Sequence, residues 1–270
     1  MKDIKRIGWF AMALLAFVVC LVLLLLGSVI GVLIMEGSLD EVAIMKSAGF
    51  ATLFAHALTI IAFSLWYRFS CGRLTFKEIK GVFAPKTLLT VVLIAVGLCF
   101  LIRFVLLALE LSVPSVQEFM NMMFEQAGLG TNIMATIAAV LVGPVGEELV
   151  YRGVIFGYAR KMVADLGNSR KAFWVANILQ ALLFGVCHLN IVQSSYAFIG
   201  GLAFGYLTHR YRSIMPAIIA HILFNAMGSF LWQPLGMALP ESYVVYFVGA
   251  VICLSVTIVG LRMSKATEKR

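Results

Sequence analysis

Long apolar runs, each bounded by a short polar cluster, set the pattern of this chain from one end to the other. They fall at roughly 8–35, 47–67, 87–111, 132–157, 173–191, 192–209, 213–232 and 242–262. A helix needs about 20 apolar residues to cross ~30 Å of hydrocarbon, and most of these runs are that long. Inside a bilayer no water bonds the backbone, so a helix that satisfies its own N–H and C=O groups is the expected solution. The pattern predicts an all-α polytopic transmembrane bundle of about eight spans, a single integral membrane domain over 1–270 without internal repeat. The fifth and sixth runs are hardest to part, since only Asn190 and Gln193-Ser194-Ser195 mark a turn. Seven spans with a re-entrant segment are the fallback.

Composition strengthens this reading. The chain is 62% hydrophobic and 13% charged, against about half and a quarter in soluble domains. The first run follows a basic start and is twice as long as the ~7–15-residue apolar core of a signal peptide, so it is expected to remain as a span. The five cysteines show no CxxC spacing, which favours buried thiols over disulfides or a zinc cage.

Charge adds orientation. The net charge is +8, and membrane insertion explains it without nucleic acid. Nearly all of the 21 Lys and Arg lie in alternate segments. These are the N-terminus (Lys2, Lys5, Arg6), Arg68 to Lys86, Arg160 to Lys171, Arg210 with Arg212, and the tail from Arg262. The intervening loops carry Lys46 among Glu36, Asp40, Glu41, Glu118, Glu125 and Glu241. Basic loops stay cytoplasmic, so both termini are expected inside, which requires an even number of spans. One outer loop has more character. Ser115 and Glu118 have capping-box spacing, and Val116, Phe119, Met120, Met123 and Phe124 repeat at helical intervals. A short amphipathic helix is predicted there, lying on the membrane surface, over a cavity mouth or simply packed on the bundle.

The informative residues are those that oppose the pattern. A charge at a membrane helix centre costs about 2.5–3.5 kcal/mol on insertion scales. GPVGEELVYRG (143–153) places Glu147, Glu148 and Arg152 within the fourth run. Glu148 and Arg152 have the favourable i,i+4 order for an ion pair. Glu147 points about 100° away, which suits a water-filled cavity and a task. Gly143, Pro144 and Gly146 before it open the helix. Phe184 and His188 are one turn apart in the fifth run, and His221 and Asn225 in the seventh. Arg103 and Glu110 are expected to play a structural part, His56 to be satisfied by packing, and His209 to lie at the interface.

EExxxR, FxxxH and HxxxN, in that order over roughly 131–228, resemble the CPBP family of CAAX-processing and bacteriocin-processing (Abi) intramembrane proteases, which includes the type II CAAX prenyl endopeptidases. The resemblance makes 131–228 the catalytic core and implies cleavage of membrane-associated peptides or proteins, so the partners expected are the lipid bilayer and such a substrate, with no nucleic acid. It implies Glu147 as the base that activates water and His188 as a second partner of that water. His221 and Asn225 would stabilise the oxyanion, and Glu148, Arg152 and Phe184 would support the site. The cofactor is left open between Zn2+, which Glu147, His188 and His221 would hold, and none. The HExxH helix that would place two ligands one turn apart is absent from the sequence. The compact single domain suggests a bacterial cytoplasmic membrane. Two other readings remain: a transporter using the buried charges for a coupling ion or proton, and a non-cleaving immunity or interaction protein of the same family.

Overall fold

The computed structural model describes residues 2–72, 76–126 and 132–266. Among them there are only helices, ten in all. They are α1 (Lys2–Glu36), α2 (Glu41–Ser70), α3 (Phe76–Val82), α4 (Pro85–Ser112) and α5 (Pro114–Gln126). Then come α6 (Ile133–Met162), α7 (Ser169–Val186), α8 (Ile191–Tyr211), α9 (Met215–Ala238) and α10 (Tyr243–Ala266). Eight are long, and six of these are long and apolar enough to cross a membrane by length and composition. The exceptions are α7 and α8, the runs that were hardest to part. They are nonetheless separate helices. Leu189 takes a left-handed conformation (φ 55°), and Asn190 then caps α8 by accepting from the N–H groups of Val192 and Gln193.

The expected basic segments gather at one end of the bundle. Arg6 bridges to Asp165 at 2.7 Å, Lys161 donates to the Ser70 carbonyl, and Arg210 donates to that of Ser264. At the other end Lys46 meets Glu36 and Ser112 meets Tyr243. Arg73, Lys269 and Arg270 lie outside the described residues, and the side chain of Lys77 is likewise not described.

Small residues set the closest helix contacts, as expected where packing rather than the hydrophobic effect drives association. A Cβ on Gly27 or Gly31 would stand 2.7 Å from the Cα of Ala55 or Ala51, so α1 and α2 touch backbone to backbone. Arg103 pairs with Glu110 on its own helix and donates to the Trp232 carbonyl of α9, which fits its expected structural part. Helix α5 starts at Pro114, one residue before the expected cap. It packs on the bundle, with Met120 buried and Val116, Phe119 and Met123 against the α4–α8–α9 core.

Helix α6 is the axis of the molecule. Every residue from Glu148 to Phe156 is buried, against α1 and α2 on one side and α7 and α9 on the other. It is also irregular. π turns occupy Ala138–Val142 and Leu149–Ile155, and an ordinary α turn, Gly143–Glu148, sits between them.

Candidate active site

The three motifs of α6, α7 and α9 converge around one cavity of about 320 Å³. Glu147, Phe184, His188, His221 and Asn225 all line it. Glu148 and Arg152 stand behind the wall.

The α turn between the π turns presents two adjacent carboxylates in different directions, as the helical angle demands. Glu148 is fully buried, and its Oε1 accepts from Arg152 Nη1 and from His221 Nδ1, both at 2.8 Å. The expected i,i+4 pair is therefore formed, with a third member from α9. Glu147 retains 24% side-chain exposure and faces the cavity, its Oε2 3.6 Å from His221 Nε2. The ion pair removes two charges from apolar surroundings only because each has a partner.

Both motif histidines are fixed by their Nδ1. In His188 that atom is 2.8 Å from the Phe184 carbonyl. A carbonyl can only accept, so Nδ1 carries the proton and Nε2 is left for the cavity. In His221 the acceptor is Glu148, with the same result. His188 lies just past α7 on a tight turn, where its N–H meets Gly185 and that of Leu189 meets Val186. The left-handed Leu189 ends that turn.

Phe184 is the hub. Its ring contacts Tyr151 at 5.0 Å, His188 at 5.2 Å and His221 at 5.6 Å, and the Arg152 guanidinium lies 4.2 Å from its centroid. Phe204 stacks on the other side of His221 at 4.9 Å. These rings hold the polar groups apart from lipid and apart from one another.

Asn225 has a cause that the sequence alone did not suggest. In the first π turn the N–H of Gly143 goes to the Ala138 carbonyl. The next residue is Pro144, which has no N–H, so the Ala139 carbonyl lacks its helical donor. Asn225 Nδ2 donates to that oxygen at 2.9 Å.

Two polar residues escaped the sequence reading. Asn177 and Gln180 are completely buried in α7. Asn177 donates to the Leu202 carbonyl, and Gln180 donates to Asn177 and to the Gly201 carbonyl, fastening α7 to α8. Their i,i+3 spacing within an apolar run was the available signal. His56 of α2, expected to be satisfied by packing, instead lines the cavity with its Nδ1 buried and unpartnered.

For metal, the donors do not fit as they stand. Among the described residues no three His, Cys, Asp or Glu side chains are grouped closely enough to hold an ion. All five cysteines are free. Cys20 and Cys99 are buried and the other three half-buried.

The fold and site together define a helical membrane protein with a carboxylate–imidazole centre enclosed in its bundle. Residues 129–227, which contain all three motifs, match the family described as type II CAAX prenyl endopeptidase Rce1-like. Over 89 residues the chain is 27% identical to the Bacillus subtilis (strain 168) protein named "Putative membrane peptidase YdiL", covering 33% of each chain. The chain thus spans a third of that relative's length. No solved structure matches. The matched region is the one in which the three motifs resemble the CPBP family.

Proposed function

We propose that the protein is an intramembrane endopeptidase that hydrolyses membrane-associated peptides or proteins with water activated by Glu147. One observation carries this reading: a partly exposed carboxylate on α6 and two imidazoles, one just past α7 and one on α9, line a single cavity. A packing role explains Glu148 and Arg152, whose charges are matched within the protein. It does not explain Glu147, which faces open space.

In this reading water binds between Glu147 and His188. Glu147 takes one proton, and the oxygen adds to the scissile carbonyl carbon. The resulting oxyanion accepts from Asn225, which has a second amide hydrogen beyond the one given to Ala139, and from His221 in its imidazolium form. Glu148, accepting from Nδ1, supplies the counter-charge to that form. The intermediate collapses, the C–N bond breaks, and the leaving nitrogen takes the proton held by Glu147. Basic segments at one end of the bundle support cytoplasmic termini, and a bacterial cytoplasmic membrane is the proposed location.

The test uses purified protein in nanodiscs with membrane-anchored reporter peptides, prenylated and unprenylated. Glu147→Ala and His188→Ala are each expected to abolish cleavage. Undiminished cleavage by both variants would refute the mechanism. Proton or ion flux in liposomes that Glu147→Gln abolishes would favour transport instead.

A further inference from the structure

A third imidazole reaches the cavity from outside the three motifs. His56 belongs to α2, outside the 129–227 region of the family match, and its ring lies along the glycine face of α6. A Cβ on Gly143 would stand 3.5 Å from its Cε1 and Nε2, and one on Gly146 would stand 3.7 Å from its Nδ1. Alanine would already touch the ring, and any larger side chain would displace it. Gly143, Gly146 and Glu147 are related as i, i+3 and i+4, so they share one helix face. The two glycines seat the imidazole beside the turn that carries Glu147.

A histidine retained only for packing would bond a neighbouring helix, as Asn177 and Gln180 do. His56 does not: its Nδ1 is buried without a hydrogen-bond partner among the described residues. Glu148, Arg152, Gln180 and Tyr211 also hold a buried atom left so, but the first three make hydrogen bonds through their other atoms. The other two cavity histidines have their Nδ1 engaged, by Phe184 and Glu148. His56 and Glu147 line the same cavity, with no direct bond between them.

We propose that His56 is a positioning residue for Glu147, facing its carboxylate from the α2 side through water in the cavity that both line, while His221 faces it from α9. The remaining titratable groups around Glu147 are accounted for. Glu148 and Arg152 of α6 neutralise each other, His188 approaches from the α7 turn, and Cys20 of α1 and Cys187 are thiols. The consequence for rate rests on the peptidase reading above; the link between His56 and Glu147 does not.

The experiment therefore reads Glu147 directly. A hydrophobic carbodiimide reacts with protonated carboxylic acids, and its attachment to Glu147 is followed by peptide mass spectrometry at neutral pH, with Glu147→Gln as the blank. His56→Phe keeps a flat ring and removes both nitrogens, while His56→Gln keeps a donor. Labelling is expected to be about tenfold faster in His56→Phe, the change that one pKa unit would give, and close to wild type in His56→Gln. Where a peptide is cleaved, His56→Phe is expected to lower kcat with little change in KM. Equal labelling in all three proteins, or an equal rise in both variants, overturns the proposal. If no peptide is cut but the labelling contrast appears, the peptidase reading fails and the His56–Glu147 link stands.

Discussion

Asn225 hydrogen-bonds the one carbonyl that Pro144 leaves without a helical donor, that of Ala139, at 2.9 Å. The asparagine therefore joins α9 to α6 whatever it does to a substrate. Asn225→Ala is expected to lower stability by about 1–3 kcal/mol, the usual consequence of orphaning a buried acceptor. Pro144→Ala restores an N–H at the position where the π register wants one. In that background the same Asn225→Ala change is expected to be milder, and thermal unfolding of the four proteins in detergent measures the coupling.

Glu148 predicts a second non-additive set. Removing it by Glu148→Ala leaves the Arg152 guanidinium and the His221 Nδ1–H without their acceptor, with an expected loss of about 3–5 kcal/mol. Replacing the pair together, Glu148→Leu with Arg152→Met, is expected to destabilise less than Glu148→Ala alone. Melting temperatures in one detergent decide this.

Glu147 should behave oppositely. Its carboxylate faces the cavity, so Glu147→Gln is expected to leave the melting temperature within a degree or two of wild type. A lost general base is worth about 10²–10⁴ in kcat. Activity and stability thus separate at two adjacent glutamates, and measuring both for each variant is the check.

Gly143 tests the π turn itself. A Cβ there would lie 2.8 Å from the Ala138 carbonyl oxygen, which is backbone and yields little. Gly143→Ala is expected to disturb Glu147 through that turn, lowering peptide cleavage while Gly81→Ala, with nothing near its Cβ position, leaves it unchanged.

Much of this molecule was written in its sequence. Apolar runs marked all eight long helices, and six of them have the length and apolarity that crossing a bilayer demands. The Glu148–Arg152 pair was legible because i,i+4 spacing fixes a helical neighbour. Asn190 was legible because an N-cap is a local device. His56 was not, since its meaning depends on two glycines of a helix 87 to 90 positions further on, and no periodicity links them. Nor were the π turns, which no spacing of apolar residues marks. The second bond of Glu148, to His221, likewise belongs to tertiary structure.

The two π turns also make the site a matter of counting. Each adds roughly one residue to what a regular helix would use, and each residue turns a helix by about 100°. Deleting a single residue ahead of Glu147 in the regular turn between them, Gly143–Glu148, would leave α6 long enough to cross the membrane and as apolar as before. It would swing Glu147 away from His188 and His221 by more than a quarter turn, and a reader of hydropathy would see no difference. In this protein chemical competence is carried by helical phase, which can be lost or regained by one codon without altering the bundle around it.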